Sequence, residues 1–196
     1  MQGFDSIRGA TETVRWERRP QHRDRTPEGV STMSGYVTKF GSLDDYTKGG
    51  VDVIDGEAKH YAFSNMFEVA SHAKPWEKIA VGKNMEYVLE VIRAEGTSEW
   101  RTCAHDEFPL CMDGEITVEL VKLDDPLAPE GKNGSIAVGG DPVGKPMGRI
   151  VLRKGHMALL PANAAYRFTS PTPSVILLQT IQGDDTIERW AEICLS

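Results

Sequence analysis

From residue 33 onward the chain is cut by turn-forming Gly, Pro, Asn and Asp at short intervals, and the runs between the cuts are short and rich in Val, Ile, Leu and aromatic residues. That rhythm leaves little room for long helices and favours many short strands, the habit of an all-β barrel or sandwich. Strands are predicted at residues 78–82, 86–94, 115–122, 149–153, 157–160, 165–168 and 174–181. In the second of these, Tyr87, Leu89 and Val91 share one face and Val88 and Ile92 the other, which predicts burial on both sides. Residues 43–48 read as one helical turn, residues 60–77 as an irregular aromatic-rich segment, and residues 124–147 as a long hairpin or surface excursion. The period changes at the end. Ile187, Trp190, Ala191, Cys194 and Leu195 recur at helical spacing, and Asp185 with Glu188 makes a capping-box start, so a short C-terminal α-helix is predicted.

A chain of 196 residues can bury a substantial core, and one domain with some extra chain is the economical reading. Its net charge of −7 argues against a nucleic-acid or anionic-membrane binder, because both need a positive field. It has no apolar window of about 18 residues and no apolar leader, so a soluble cytoplasmic protein is expected. Cys103, Cys111 and Cys194 have no CxxC spacing and read as reduced. Residues 1–32 stand apart. Their basic residues are all arginines, and residues 17–30 have almost no apolar content, too little to offset the entropy of ordering. A disordered or mis-assigned tail is expected there, with residues 33–196 as the single domain and Met33 as an alternative start.

Two motifs carry the chemistry. In GTSEWRTCAHDEFPLCMDG, residues 96–114, Glu107 is followed after six residues by Gly114, which resembles the end of the first cupin signature. At the positions of that signature's two histidines stand Arg101 and Cys103, or Trp100 and Thr102 with the longer spacer. In GHMALLPANAAY, residues 155–166, Gly155 and Pro161 fit the second signature, Asn163 replaces its second glycine, and Tyr166 takes the place of its histidine. Three of the four expected ligands are absent. A neutral imidazole is a good ligand for divalent iron, manganese or zinc, whereas a guanidinium has no lone pair to give and repels a cation. The resemblance implies an all-β cupin barrel, a double-stranded β-helix or jelly roll, that cannot hold iron in the usual way and has no cofactor of its own.

The same residues allow other uses. Cys103, His105 and Glu107 alternate, so on one strand they would share a face and could form an atypical metal site. Arg101 and Glu107 are expected to form an ion pair where the metal would be, since a buried carboxylate needs a compensating charge or a proton. Tyr166 points inward under the motif alignment, where its hydroxyl can reach Glu107 or a small phenol. His60, His72 and His156 lack ligand spacing and read as structural or turn residues. Nothing in the sequence supports a nucleophilic serine or a phosphate-binding loop.

Beyond the cupin pattern, the run from His60 to Phe108, the second motif and the ending VILLQTIQGDDTIERWAEICL resemble the small subunit of two-subunit hydroquinone 1,2-dioxygenases, over residues 34–195. The resemblance implies a metal-free cupin whose partner, a larger cupin subunit, carries Fe(II) and cleaves hydroquinone beside a hydroxyl to give 4-hydroxymuconic semialdehyde. It transfers no catalytic residue to this chain. Tyr61, Phe63, Phe67 and Trp76, large side chains outside clear strand alternation, are the expected contacts with that partner. Two other readings stay open: a self-sufficient cupin enzyme using Cys103, His105 and Glu107, and a non-catalytic homodimer that binds a small molecule.

Overall fold

An 18-residue strand, β8 (Ala164–Ile181), organises the sheet in the computed structural model, which describes residues 41–47, 54–56 and 65–190. The other strands are β1 (Lys78–Asn84), β2 (Tyr87–Thr97), β3 (Arg101–Cys103), β4 (Phe108–Asp113), β5 (Glu115–Leu123), β6 (Ser135–Ala137), β7 (Gly144–Arg153) and β9 (Thr186–Ile187). The second half of β8 lies antiparallel between β2 and β4, with Ile176 opposite both Ile92 and Cys111. Its first half pairs with β5, Leu120 facing Tyr166, and with β3, Arg101 facing Tyr166. One strand with four partners forces the sheet to curl around its own inner face. At the bend between the halves Pro171 and Pro173 offer no N–H to a ladder. Here the register to β2 shifts, and the Ser170 and Ser174 hydroxyls bond each other at 2.8 Å and reach backbone carbonyls.

The two apolar runs predicted at residues 165–168 and 174–181 are therefore one strand. The run at 157–160 is not a strand, making only isolated bridges at Met157 and Leu160. The segment between β5 and β7 is a hairpin excursion, closed by Leu123 opposite Gly144, and it carries β6 back to pair with β3. Residues 43–45 form bends and no helical turn; Leu43 N–H is instead held by Asp113 Oδ2 at 2.7 Å.

The segment read as irregular holds a helix, α1 (Met66–His72). Asn65 caps it, its side chain accepting from the Phe67 N–H at 3.0 Å and the Glu68 N–H at 3.4 Å. This helix covers the outer face of β1, β2 and β8 with Phe67, Val69 and Ala70 against Ile79, Val91 and Val175. The inner core joins Ile92, Ile116, Val118, Leu152, Tyr166, Phe168, Ile176 and Leu178. Strand β2 is thus buried on both faces only where α1 lies over it: Val91 and Ile92 are buried, but Tyr87 and Leu89, beyond the helix, are exposed. The predicted C-terminal helix does not start at Asp185. Thr186 and Ile187 pair in parallel with Lys78 and Ile79, Trp190 is the first helical residue, and residues 191–196 lie outside the described residues, as does the tail 1–32. Among the described residues no helix is long and apolar enough to cross a membrane.

Candidate functional site

The turns of both motifs keep the backbone their glycines imply. Gly96, Gly114 and Gly155 all have positive φ, between 76° and 83°, and Asn163, standing for a glycine, adopts φ 62°. Asn is among the few side chains that tolerate this left-handed region, which explains how it replaces glycine without moving the chain. The turns that bracket the four motif positions are therefore kept.

What they position is different. Tyr166 on β8 and Glu107, just before β4, meet in the barrel interior, the phenol donating to Glu107 Oε2 at 2.6 Å. Thr180, also on β8, donates to Glu107 Oε1 at 2.7 Å. Both oxygens of a fully buried carboxylate are thereby satisfied by neutral hydroxyls. The expected ion pair between Arg101 and Glu107 does not form. Arg101 turns toward the mouth of the barrel, where it pairs with Glu99 and Asp185 and gives its Nε and Nη2 protons to Ser135 Oγ and the Ser135 carbonyl, each at 2.9 Å. The guanidinium keeps partly solvated acids as partners, which avoids the cost of taking a second full charge into the interior.

Of the two registers for the missing histidines, Arg101 and Cys103 face inward and Thr102 lies on the other side of β3. Arg101 lines the interior cavity, and Cys103 is coupled electrostatically to Glu107 and Lys78. Burial, with the Glu107 charge beside it, pushes the Cys103 thiol up to about 11. Burial and the same carboxylate hold Tyr166 well above the ordinary tyrosine value. His105 is not with them. The strand ends at Cys103 and the chain bends at Ala104 and His105, so the imidazole faces away, Nδ1 donating to the Asp106 carbonyl at 3.0 Å and Nε2 accepting from the Gly134 N–H at 3.2 Å. The alternation that would have made Cys103, His105 and Glu107 a ligand set requires a continuous strand, and that strand is broken.

The residues present do not suit iron. The motif positions offer one carboxylate whose oxygens each already accept a hydrogen bond, a protonated thiol, a protonated phenol and a guanidinium. Among the described residues no group of three His, Cys, Asp or Glu side chains is placed to hold a metal ion.

Three polar groups absent from the motifs complete the interior. Glu90 alternates with Val88 and Ile92 on the inner face of β2; it is 1% exposed and accepts from Thr186 Oγ1 at 2.6 Å, while its Oε2 has no hydrogen-bond partner among the described residues. Burial raises its pKa against the opposing pull of Lys78. Lys78, 8% exposed, donates to Ser135 Oγ at 2.5 Å. The period-two pattern of β2 already placed Glu90 beside the core; Ser135, on the short β6, carried no such signal. Above these groups opens a cavity of about 440 Å³ lined by Trp76, Lys78, Arg101, Ser135, Tyr166 and Phe168 among others.

Of the side chains expected to meet a partner, Tyr61 and Phe63 lie outside the described residues. Phe67 is 9% exposed and packs in the outer core, because α1 turns its ring onto the sheet, so it has little surface to offer. Trp76 faces the cavity, its ring nearly parallel to Phe168 at a centroid distance of 6.3 Å. Exposed apolar residues lie elsewhere, at Met147 and Val151 on β7 and at Met157 and Leu159 beyond it.

No family model matches the chain, and no curated protein does. Solved structures do. A chain of hydroquinone 1,2-dioxygenase PnpCD, in complex with Cd2+ and 4-hydroxybenzonitrile, is 54% identical with a TM-score of 0.77, the match covering 84% of this chain and 100% of that one. A chain of hydroquinone 1,2-dioxygenase from Sphingomonas sp. TTNP3, with 4-hydroxybenzoate bound, is 56% identical with the same TM-score, covering 82% of this chain and 98% of that one. A second, longer chain of PnpCD, from a complex with Fe3+, shares the fold at a TM-score of 0.51 but only 15% identity, and the match spans 39% of it. Paired end to end with the shorter chains at more than half identity, this cupin barrel belongs to the hydroquinone 1,2-dioxygenase family.

Proposed function

We propose that this chain is the metal-free cupin subunit of a heteromeric, Fe(II)-dependent ring-cleaving dioxygenase that acts on hydroquinone in the cytoplasm, and that residues 33–196 form its single domain. The observation that supports the reading is the hydrogen-bonded interior: Glu107, held by two hydroxyls, with Tyr166, Cys103 and Arg101 stand where the motif alignment puts a cupin's metal ligands. In this reading those four residues are a relic centre with a structural task. The iron belongs to a larger cupin partner, which fits the longer PnpCD chain of the Fe3+ complex. The small subunit stabilises that partner by burying apolar surface against it and helps keep water from its reaction site.

Co-expression with the proposed large cupin chain tests this. Ring cleavage of hydroquinone is expected from the two chains together and from neither alone, with iron recovered in the large chain after separation. Full activity of the large chain by itself, or stoichiometric iron bound tightly to this chain, would refute the reading.

A further inference from the structure

Among the described residues, the buried Lys78 has no anion in contact. The residue is 8% exposed, and among the described residues no carboxylate oxygen lies within 4.0 Å of Nζ. Glu90 attracts it only through space. The acids around the cavity mouth are already engaged: Asp184 with Lys132 at 2.5 Å, Glu77 with Arg189 at 3.4 Å, and Glu99 and Asp185 with Arg101. Lys78 Nζ and Arg101 Nε both donate to Ser135 Oγ, so two cationic nitrogens flank one hydroxyl at the cavity wall. With one hydroxyl as its partner among the described residues, the ammonium has donors to spare, and a charge in such a place calls for a counter-charge.

A second observation comes from Trp76, two residues before Lys78 and also lining the cavity. Trp76 holds φ 67°, a left-handed conformation that is a true outlier for so bulky a residue, and it is fixed there by its N–H bond to the Arg93 carbonyl at 2.9 Å. Strain of this kind gathers at ligand sites, where the surrounding structure over-determines it. Here it keeps the indole at the cavity beside Phe168. The volume of about 440 Å³ suits one aromatic ring with its substituents.

We propose that this cavity is a binding site, within this chain, for a small aromatic anion: its oxygen accepts charge-assisted hydrogen bonds from Lys78 beside Ser135, and its ring lies against Trp76 and Phe168. The site is built from this chain's own side chains and stands whether or not the chain serves a dioxygenase.

Calorimetric titration of the full chain with benzoate, and with its neutral counterpart benzamide, is the test. Benzoate is expected to bind saturably at one per chain and benzamide about tenfold or more weakly. Lys78→Met should abolish that preference, whereas Trp76→Leu should weaken both ligands while leaving the preference in place. Thermal melts establish that each variant is folded. Should Lys78→Met not fold, the preference of the native chain and its retention at lower affinity in Trp76→Leu decide alone. Absence of saturable benzoate binding, equal binding of the two ligands, or an unchanged preference in folded Lys78→Met overturns the proposal.

Discussion

At Glu107 two hydroxyl donors take up the charge that a bound cation would otherwise balance. Removing one of them in Tyr166→Phe leaves Oε2 buried without a donor, and a loss of about 1–3 kcal/mol is expected in denaturant unfolding; an unchanged midpoint would show that the contact contributes nothing. Glu90 gives a pH signature. Burial raises its pKa, so the folded chain binds the Glu90 proton more tightly than the unfolded chain does. The stability from that proton is present below the unfolded carboxylate value of about 4.5, and it is lost as pH rises through the folded value. Melting temperatures followed upward from the carboxylate range should therefore fall less steeply in Glu90→Gln than in the native chain. Cys103 and Cys111 are buried, with thiols pushed up to about 11. Only the thiolate is a good nucleophile, so both should escape alkylation at mildly alkaline pH until denaturant is added, as peptide mapping would reveal.

At the scale of elements, the turn positions of the two motifs were legible because a positive φ demands Gly or Asn. Gly114, between β4 and β5, adds a steric demand: a Cβ there would lie 2.6 Å from Ser174 Cβ and 1.9 Å from its Oγ. Gly114→Ala is expected to cost about 1–3 kcal/mol from the backbone alone, and more as Ser174 is displaced; a melt matching the native chain would contradict the turn assignment. The helix α1 was written in Asn65 and Glu68, a cap and a first-turn acid, but seven residues amid aromatics gave too short a period to recognise. The metal reading of Cys103, His105 and Glu107 failed for an elemental reason. Alternation has meaning only along an unbroken strand, and β3 stops at Cys103.

At the scale of the whole molecule, residues 17–30 have almost no apolar content, and we propose that the tail 1–32 adds nothing to the core. A chain begun at Met33 should melt with the native chain and support equal ring cleavage when co-expressed with the large subunit; a lower melting temperature would assign the tail a structural part. The sequence by itself determined the strand-rich class, the motif turns and the loss of the histidines, because these depend on local backbone demands and on residue identity. It also placed Tyr166 and Glu107 within reach of one another, since each signature aims its residue at the same interior point. Only the tertiary structure decided what balances the buried carboxylate: Thr180 lies 73 positions from Glu107, and Ser135 lies 57 from Lys78. Arg101 was expected inside, yet it finds its acids at the mouth. Partners so far apart along the chain meet through the curl imposed by β8, and no local pattern records which of them the curl brings together.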